Sequence, residues 1–445
     1  MITIAAPREP APETRVALVP EIVQQMVRQG HRVLVEEGAG TASAYPDSDY
    51  ATAGAEVVPA IDLAQVDVLA HVTPLPAGAV HRLKPGAVTI GLAGPYDEAR
   101  VAALAEANVT AMSFEKLPRT SRAQSMDVLS SQALAAGYRA VLEAAIRSPR
   151  FFPMAMTAAG TVPPAKVVVL GIGVAGLQAI ATARRLGALV SANDIRPDSA
   201  EEARSVGATF IEVPVDASEG TGTGGYARAL GDDAAMRQRE ALAPWIADAD
   251  VLITTAAVPG RRAPQLATAE MVAAMRPGAV VVDLAAAGGG NVEGSVAGED
   301  VKVPSARGGG EVTIVGLANA PGDLPTDASR LFAKNVDNVF KLIVSEGGLN
   351  VDFADDIVEG MTITHEGINR LAPPAEQAPA QEASAAEAPA ENTPAGAAPA
   401  HEAPSAQAPG GQAPPYPTPA QGEGMDGAGG VVVDGMQTEG EEGAR

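Results

Sequence analysis

Three glycines at the spacing GxGxxG, Gly171, Gly173 and Gly176, are followed 18 residues later by a carboxylate, Asp194. The chemistry of that set is dinucleotide binding. The first glycine permits a tight turn, the second lets the backbone approach a pyrophosphate, and the third lets a helix pack close to a strand. Val174 and Ala175 open that helix, whose N-terminal N–H groups and partial positive charge suit phosphate. Asp194 is placed to accept hydrogen bonds from the adenosine ribose hydroxyls. It would repel a 2′-phosphate, since two unit charges about 4 Å apart cost roughly 4 kcal/mol at an effective dielectric near 20. NAD is thereby favoured over NADP. Ile195 and Arg196 complete this end of the site, and the Arg196 cation weakens the preference.

A second polar group, LPRTSRAQSMDVLSSQ, occupies residues 117–132 and holds Arg119, Gln124, Asp127 and Ser130. On residue types alone it reads as a polar cap at the start of a long helix. A third, DASEGTGTGGY at 216–226, is glycine-rich and ends in Tyr226; on the same footing it is a flexible surface loop. Other reactive groups are sparse. The chain has no cysteine, which removes disulfides, thiolate metal sites and a cysteine nucleophile. Its five histidines, His31, His71, His81, His365 and His401, form no metal-ligand spacing.

The elements that position these groups follow the α/β pattern. Residues 167–170 are a short apolar, β-branched run, as a buried parallel strand requires. Residues 177–186 continue as helix, Gly187 ends it, and 189–192 form the next strand. The apolar stretch at 167–183 is broken by glycines, Gln178 and Thr182 and is too short for a membrane span. Further strands are expected at 251–255, 279–284 and 312–315. Before them, residues 2–6, 31–36, 66–72, 87–92 and 109–113 read as strands, with helices at 21–29 and 100–107, which gives a first parallel α/β domain. Residues 127–148 read as one Ala-rich connecting helix. Residues 322–346 read as a long helix that returns to the first domain.

The 445 residues suffice for two or three domains. With 46% hydrophobic but only 3% aromatic residues, the core must be built from Ala, Val, Leu and Ile. The net charge of -23 disfavours nucleic acid and anionic lipid as partners. The N-terminus lacks the basic and apolar regions of a signal peptide. From about residue 372 the composition turns to Pro, Ala, Gln and Glu, which cannot bury enough surface to fold. The expected fold is therefore α/β, with two Rossmann-like parallel-sheet domains, the nucleotide-binding one inserted in the other, and a disordered Pro/Ala-rich tail. The boundaries are 1–126 completed by 322–371, 127–321, and 372–445.

The segment RAQSMDVLSS at 122–131, with the glycine fingerprint, ITTAAVPGRRAP at 253–264 and VVDLAAAGGGN at 281–291, resembles the NAD(H)-binding subunits of the proton-translocating NAD(P) transhydrogenase family. The likeness extends over about residues 1–370. It implies that Arg119, Gln124, Asp127 and Ser130 surround the nicotinamide, that Tyr226 closes over the nucleotide, and that Ala256 and Ala257 line the cofactor site. It further implies NADH as the bound cofactor, NADP(H) on a partner subunit, membrane-spanning partner subunits, a homodimer, and a cytoplasmic place on the inner face of the membrane. No nucleic-acid partner is expected.

Alanine dehydrogenase is similar to the same chain and is the rival. That family uses a Lys and a His from the first domain and an Asp from the second. Here the Lys position falls at or next to His71, the His position near Gly91-Leu92, and the Asp position at Ala287. Only Arg15 is retained, and transhydrogenases share its segment. Amino-acid oxidation needs titratable groups beside the nicotinamide, whereas direct hydride transfer between two nicotinamides needs none. A non-enzymatic NAD-sensing module is the remaining alternative.

Overall fold

The computed structural model describes residues 1–196, 198–213, 231–257, 260–345 and 348–371. The expected tail and Tyr226 lie outside the described residues.

An 8-stranded sheet is built from β1 (Thr3–Ala6), β2 (Arg32–Glu36), β3 (Glu56–Val58), β4 (Val68–Ala70), β5 (Val88–Gly91), β6 (Thr110–Ser113), β18 (Thr362–His365) and β19 (Ile368–Asn369). Its order is β19-β18-β6-β5-β4-β1-β2-β3. The strands from β6 to β3 are parallel, and β18 runs antiparallel to β6. Helices α1 (Pro20–Arg28), α2 (Asp47–Thr52), α3 (Ala77–Val80) and α4 (Glu98–Glu106) connect them. Because both faces of a parallel sheet are covered, β4, β5 and β6 are buried at every position.

Helix α5 (Val128–Arg147) leads out of this sheet. Its start packs in the first core through Val128, and Ala140, Val141 and Ala144 near its end belong to the second. A hairpin, β7 (Ala155–Thr157) and β8 (Gly160–Val162), precedes the second sheet. That sheet has 7 strands: β9 (Lys166–Leu170), β10 (Leu189–Asn193), β11 (Thr209–Phe210), β12 (Val251–Thr254), β13 (Val280–Asp283), β14 (Asp300–Pro304) and β15 (Glu311–Gly316). Its order is β11-β10-β9-β12-β13-β15-β14, with β14 alone antiparallel. Helices α6 (Val174–Arg185), α7 (Ser199–Ser205), α8 (Asp232–Asp248) and α9 (Ala269–Ala273) flank it. In both sheets the chain reverses direction beside the first strand, β1 or β9. Ligands bind at that switch point in doubly wound folds.

Helix α10 (Pro325–Leu342) then returns to the first sheet. Phe332, Val336, Val339 and Phe340 recur at helical spacing and are buried with Ile4, Val33 and Val88. The helix ends at Leu342, short of the expected 346. The chain turns there into the hairpin β16 (Val344–Ser345) and β17 (Gly348–Leu349), then α11 (Asp356–Met361). The second sheet is thus inserted between β6 and β18 of the first.

Candidate functional site

The glycine turn lies between β9 and α6, at the switch point. Gly171 has φ +94, and a Cβ there would lie 2.6 Å from Thr255 Oγ1. A Cβ on Gly176 would collide with the Gly171 carbonyl. Gly173 has open space where its Cβ would stand, and it is the N-cap of α6 with no side-chain cap bond. Val174 is exposed and Ala175 half-buried beside it. Among the described residues, no side chain caps the N–H groups of this first turn, an arrangement suited to an anion. Thr255, just after β12, donates from Oγ1 to the Gly171 carbonyl at 3.0 Å and fixes the turn.

Asp194 follows β10 and is nearly buried, its side chain 8% exposed. Its Oδ2 accepts from Ile172 N at 2.7 Å and from Arg196 Nη2 at 3.2 Å. Its Oδ1 accepts from Arg196 N at 2.9 Å and Nε at 3.1 Å. The carboxylate expected to face the ribose is thus held by the glycine turn and by Arg196. Ile195, next in the chain, is half-buried. Ala256 and Ala257 lie in the loop after β12. Asn291 Nδ2 donates to the carbonyls of Ala256 and Pro264, both at 2.8 Å, and staples the two stems of that loop together.

The polar segment before α5 sits on the first lobe. Ala123 and Met126 are buried in its core, while Arg119 and Gln124 are exposed. Asn335 and Asn338 of α10 donate to the Ser125 carbonyl at 2.8 and 2.7 Å and hold the segment in place. Asp127 is the N-cap of α5 and accepts from Ser130 N at 3.0 Å and Ser130 Oγ at 2.6 Å. The cap reading of Asp127 and Ser130 therefore describes a real hydrogen-bond pair.

Two close approaches shape the site here, the second of them between the lobes. A Cβ on Gly137 of α5 would collide with the Ala175 carbonyl at the start of α6. The Tyr96 ring lies against Gly260, where an added Cβ would be 2.6 Å from Tyr96 Cε1, and Lys116 Nζ sits 4.9 Å from the ring centroid. Thr255 and Asn291 lie inside the segments 253–264 and 281–291 but are not singled out there, and Gly137 and the two asparagines of α10 fall outside every motif named above. A glycine inside an otherwise Ala-rich helix is the one signal that could have pointed to Gly137.

The positions that would carry acid–base chemistry are closed. His71 is buried, its Nδ1 is 2.8 Å from the Thr73 carbonyl, and burial pulls its pKa down to about 4. It is neutral at pH 7. A Cβ on Gly91 would collide with the His71 carbonyl and stand 2.5 Å from the imidazole, so no side chain fits there. Arg15 is buried and already engaged: Nε and Nη2 donate to Glu13 at 2.8 Å, and Nη1 donates to Gln132 Oε1 at 2.8 Å. Ala287 offers an exposed methyl group where an Asp would be needed.

The Alanine dehydrogenase/PNT, N-terminal domain model matches residues 5–136, and the Alanine dehydrogenase/PNT, C-terminal domain model matches 140–370. The chain is 39% identical over 377 residues to the NAD(P) transhydrogenase subunit alpha of Haemophilus influenzae, covering 84% of this chain and 72% of that one. The crystal structure of transhydrogenase from Sinorhizobium meliloti superposes with a TM-score of 0.71 at 42% identity, covering 82% of this chain and 98% of that one. An L-alanine dehydrogenase structure superposes with a TM-score of 0.67 at 25% identity, covering 83% and 96%.

Proposed function

The chain belongs to the Alanine dehydrogenase/PNT family, and on that basis we propose that it is the NAD(H)-binding subunit of an NAD(P) transhydrogenase. It presents NADH for direct hydride transfer to NADP⁺ held by a partner subunit, and membrane-spanning subunits couple that transfer to proton translocation. The observation that carries this reading is the closed acid–base set. His71, buried with its pKa pulled down to about 4, the side-chain-free space at Gly91, Arg15 bonded to Glu13 and Gln132, and the methyl of Ala287 leave the alanine dehydrogenase positions without a group fit to deprotonate an amine. Hydride exchange between two nicotinamides needs no proton at either ring, so the same set suits it.

When bound, NADH supplies the hydride. The chain's own work is positioning and exclusion of water. The α6 N-terminus and the backbone at Gly171, Gly173, Val174, Ala175 and Gly176 hold the pyrophosphate. Asp194, Ile195 and Arg196 receive the adenosine end. Ala256 and Ala257 flank the cofactor, and Arg119, Gln124, Asp127 and Ser130 orient the nicotinamide. Reacting carbons must be held about 3 to 3.5 Å apart, which is where rigid positioning lowers the barrier. The Tyr226 lid is part of this proposal and lies outside the described residues. On the same reading residues 1–126 with 322–371 form one domain and 127–321 the nucleotide domain.

Among the described residues no helix is long and apolar enough to cross a membrane. We assign the proton path to the partner subunits and this chain to the cytoplasmic face beside them. A homodimer is supported by the β7–β8 hairpin, where Met154, Met156 and Val162 are exposed next to exposed Phe151.

A mixing assay tests the function. Purified chain, an isolated transhydrogenase NADP(H) domain, NADPH and an NAD analogue of distinct absorbance are combined. Rapid analogue reduction requiring both proteins is expected. Reduction absent there, with NADH oxidised in the presence of pyruvate and ammonium, would instead make the chain an alanine dehydrogenase. NADH binding without either reaction would make it a sensor.

A further inference from the structure

We propose that Arg196 selects the nucleotide by competing with the adenosine ribose for Asp194. This rests on the dinucleotide reading of the site. An ionised carboxylate offers about four acceptor positions. At Asp194 four donors fill them: two backbone N–H groups, of Ile172 and Arg196, and the Nε and Nη2 of Arg196. The two backbone donors are fixed by the turn. The guanidinium is the movable pair, its side chain 25% exposed while the acid is 8% exposed. Its Nη2 also donates to the Ile172 carbonyl at 2.9 Å, so it bridges the acid to the middle of the glycine turn. With the four acceptor positions filled, a ribose hydroxyl that bonds Asp194 must displace one of these donors.

At Asp194 the exchange balances in hydrogen bonds, while the Nη2 bond to the Ile172 carbonyl is given up. A ribose diol brings two O–H donors, which replace the two N–H donors as the guanidinium swings out. A 2′-phosphate brings no donor and added negative charge, so it cannot take that place. It pairs with the guanidinium instead, which matches phosphate as a fork. The two nucleotides therefore act on Arg196 with opposite sign. It opposes NADH and assists NADPH, and Asp194 does the reverse.

The test is a binding titration of the full chain with NADH, ADP-ribose and NADPH. Arg196→Met keeps the long stem and removes the donors. It is expected to tighten NADH and ADP-ribose by about tenfold and to weaken NADPH by a similar factor, the scale of one or two charge-assisted hydrogen bonds. Arg196→Lys keeps the charge and loses the fork. It is expected to tighten NADH about threefold and leave NADPH near the wild-type value, on the same scale, and it decides the matter if the Met variant fails to fold. Parallel weakening of all three ligands, or no change in any, overturns the proposal. Failure of the unsubstituted chain to bind NADH or ADP-ribose sinks the dinucleotide reading and this proposal with it, a result distinct from the others because it involves no variant.

Discussion

His71 is a buried imidazole next to a second, half-buried titratable group. Glu9 accepts from Val72 N and from Thr73 N and Oγ1, and burial raises its pKa despite those bonds. The Arg100 charge adds to the burial that depresses His71. The linkage has a definite sign. Between an unfolded value near 6.5 and a folded value of about 4, the unfolded chain binds the extra proton, so stability falls as pH drops through that window. Above about 6.5 the contribution is complete. In urea titrations at about pH 7.5, 5.5 and 4.5, His71→Gln is expected to lose less stability on acidification than the unsubstituted chain, by on the order of 2 kcal/mol. Equal acid sensitivity in both chains would mean His71 titrates as an exposed imidazole.

Helix α5 joins the two lobes and carries two separable demands. At its start, Asp127 caps it through Ser130, and loss of an N-cap costs about 1 kcal/mol. Asp127→Ala should therefore lower the unfolding stability by that amount, and Asp127→Ser should restore it. If Asp127 also serves the nicotinamide, the Ser variant recovers stability while hydride transfer in the mixing assay stays slow. Recovery of both leaves Asp127 a cap alone. Near the middle of the helix, Gly137 lets α5 touch the carbonyl of Ala175 at the start of α6. Gly137→Ala forces the helices apart, at roughly 1–3 kcal/mol. Because the displaced element opens the phosphate site, weaker NADH binding is expected with the lower melting temperature. A melting shift with unchanged NADH affinity would separate that crossing from the site.

Both large sheets are closed at one edge by antiparallel strands, β14 in one and β18–β19 in the other. The β7–β8 hairpin instead stands apart from both sheets, with apolar side chains exposed. Exposed apolar surface of that kind suits a second copy of the chain. The double variant Met154→Lys, Met156→Lys is expected to run as a monomer in light scattering at low micromolar concentration, with little change in the melting temperature of the lobes. A persistent dimer would move the interface elsewhere.

Local patterns along the chain were enough to give the fold class, the strands β9 and β10 with the turn between them, and the family. Apolar β-branched runs, glycine spacing and a short motif around Asp127 carry that information. They also marked the return of α10, because Phe332, Val336 and Phe340 keep helical spacing. They did not reveal β3, β14, β18 or the β7–β8 hairpin. β14 alternates exposed and half-buried residues at a sheet edge, and β18 pairs with β6 across about 250 residues of intervening chain, so neither announces itself as a buried run. Folding in three dimensions added that Gly137 must be glycine, that Asn291 staples the Ala256 loop, that His71 fills the space over Gly91, and that Arg196 already occupies Asp194. Each is a contact between groups brought together by the packing of separate elements or the shape of a turn, and residue types along the chain do not encode it.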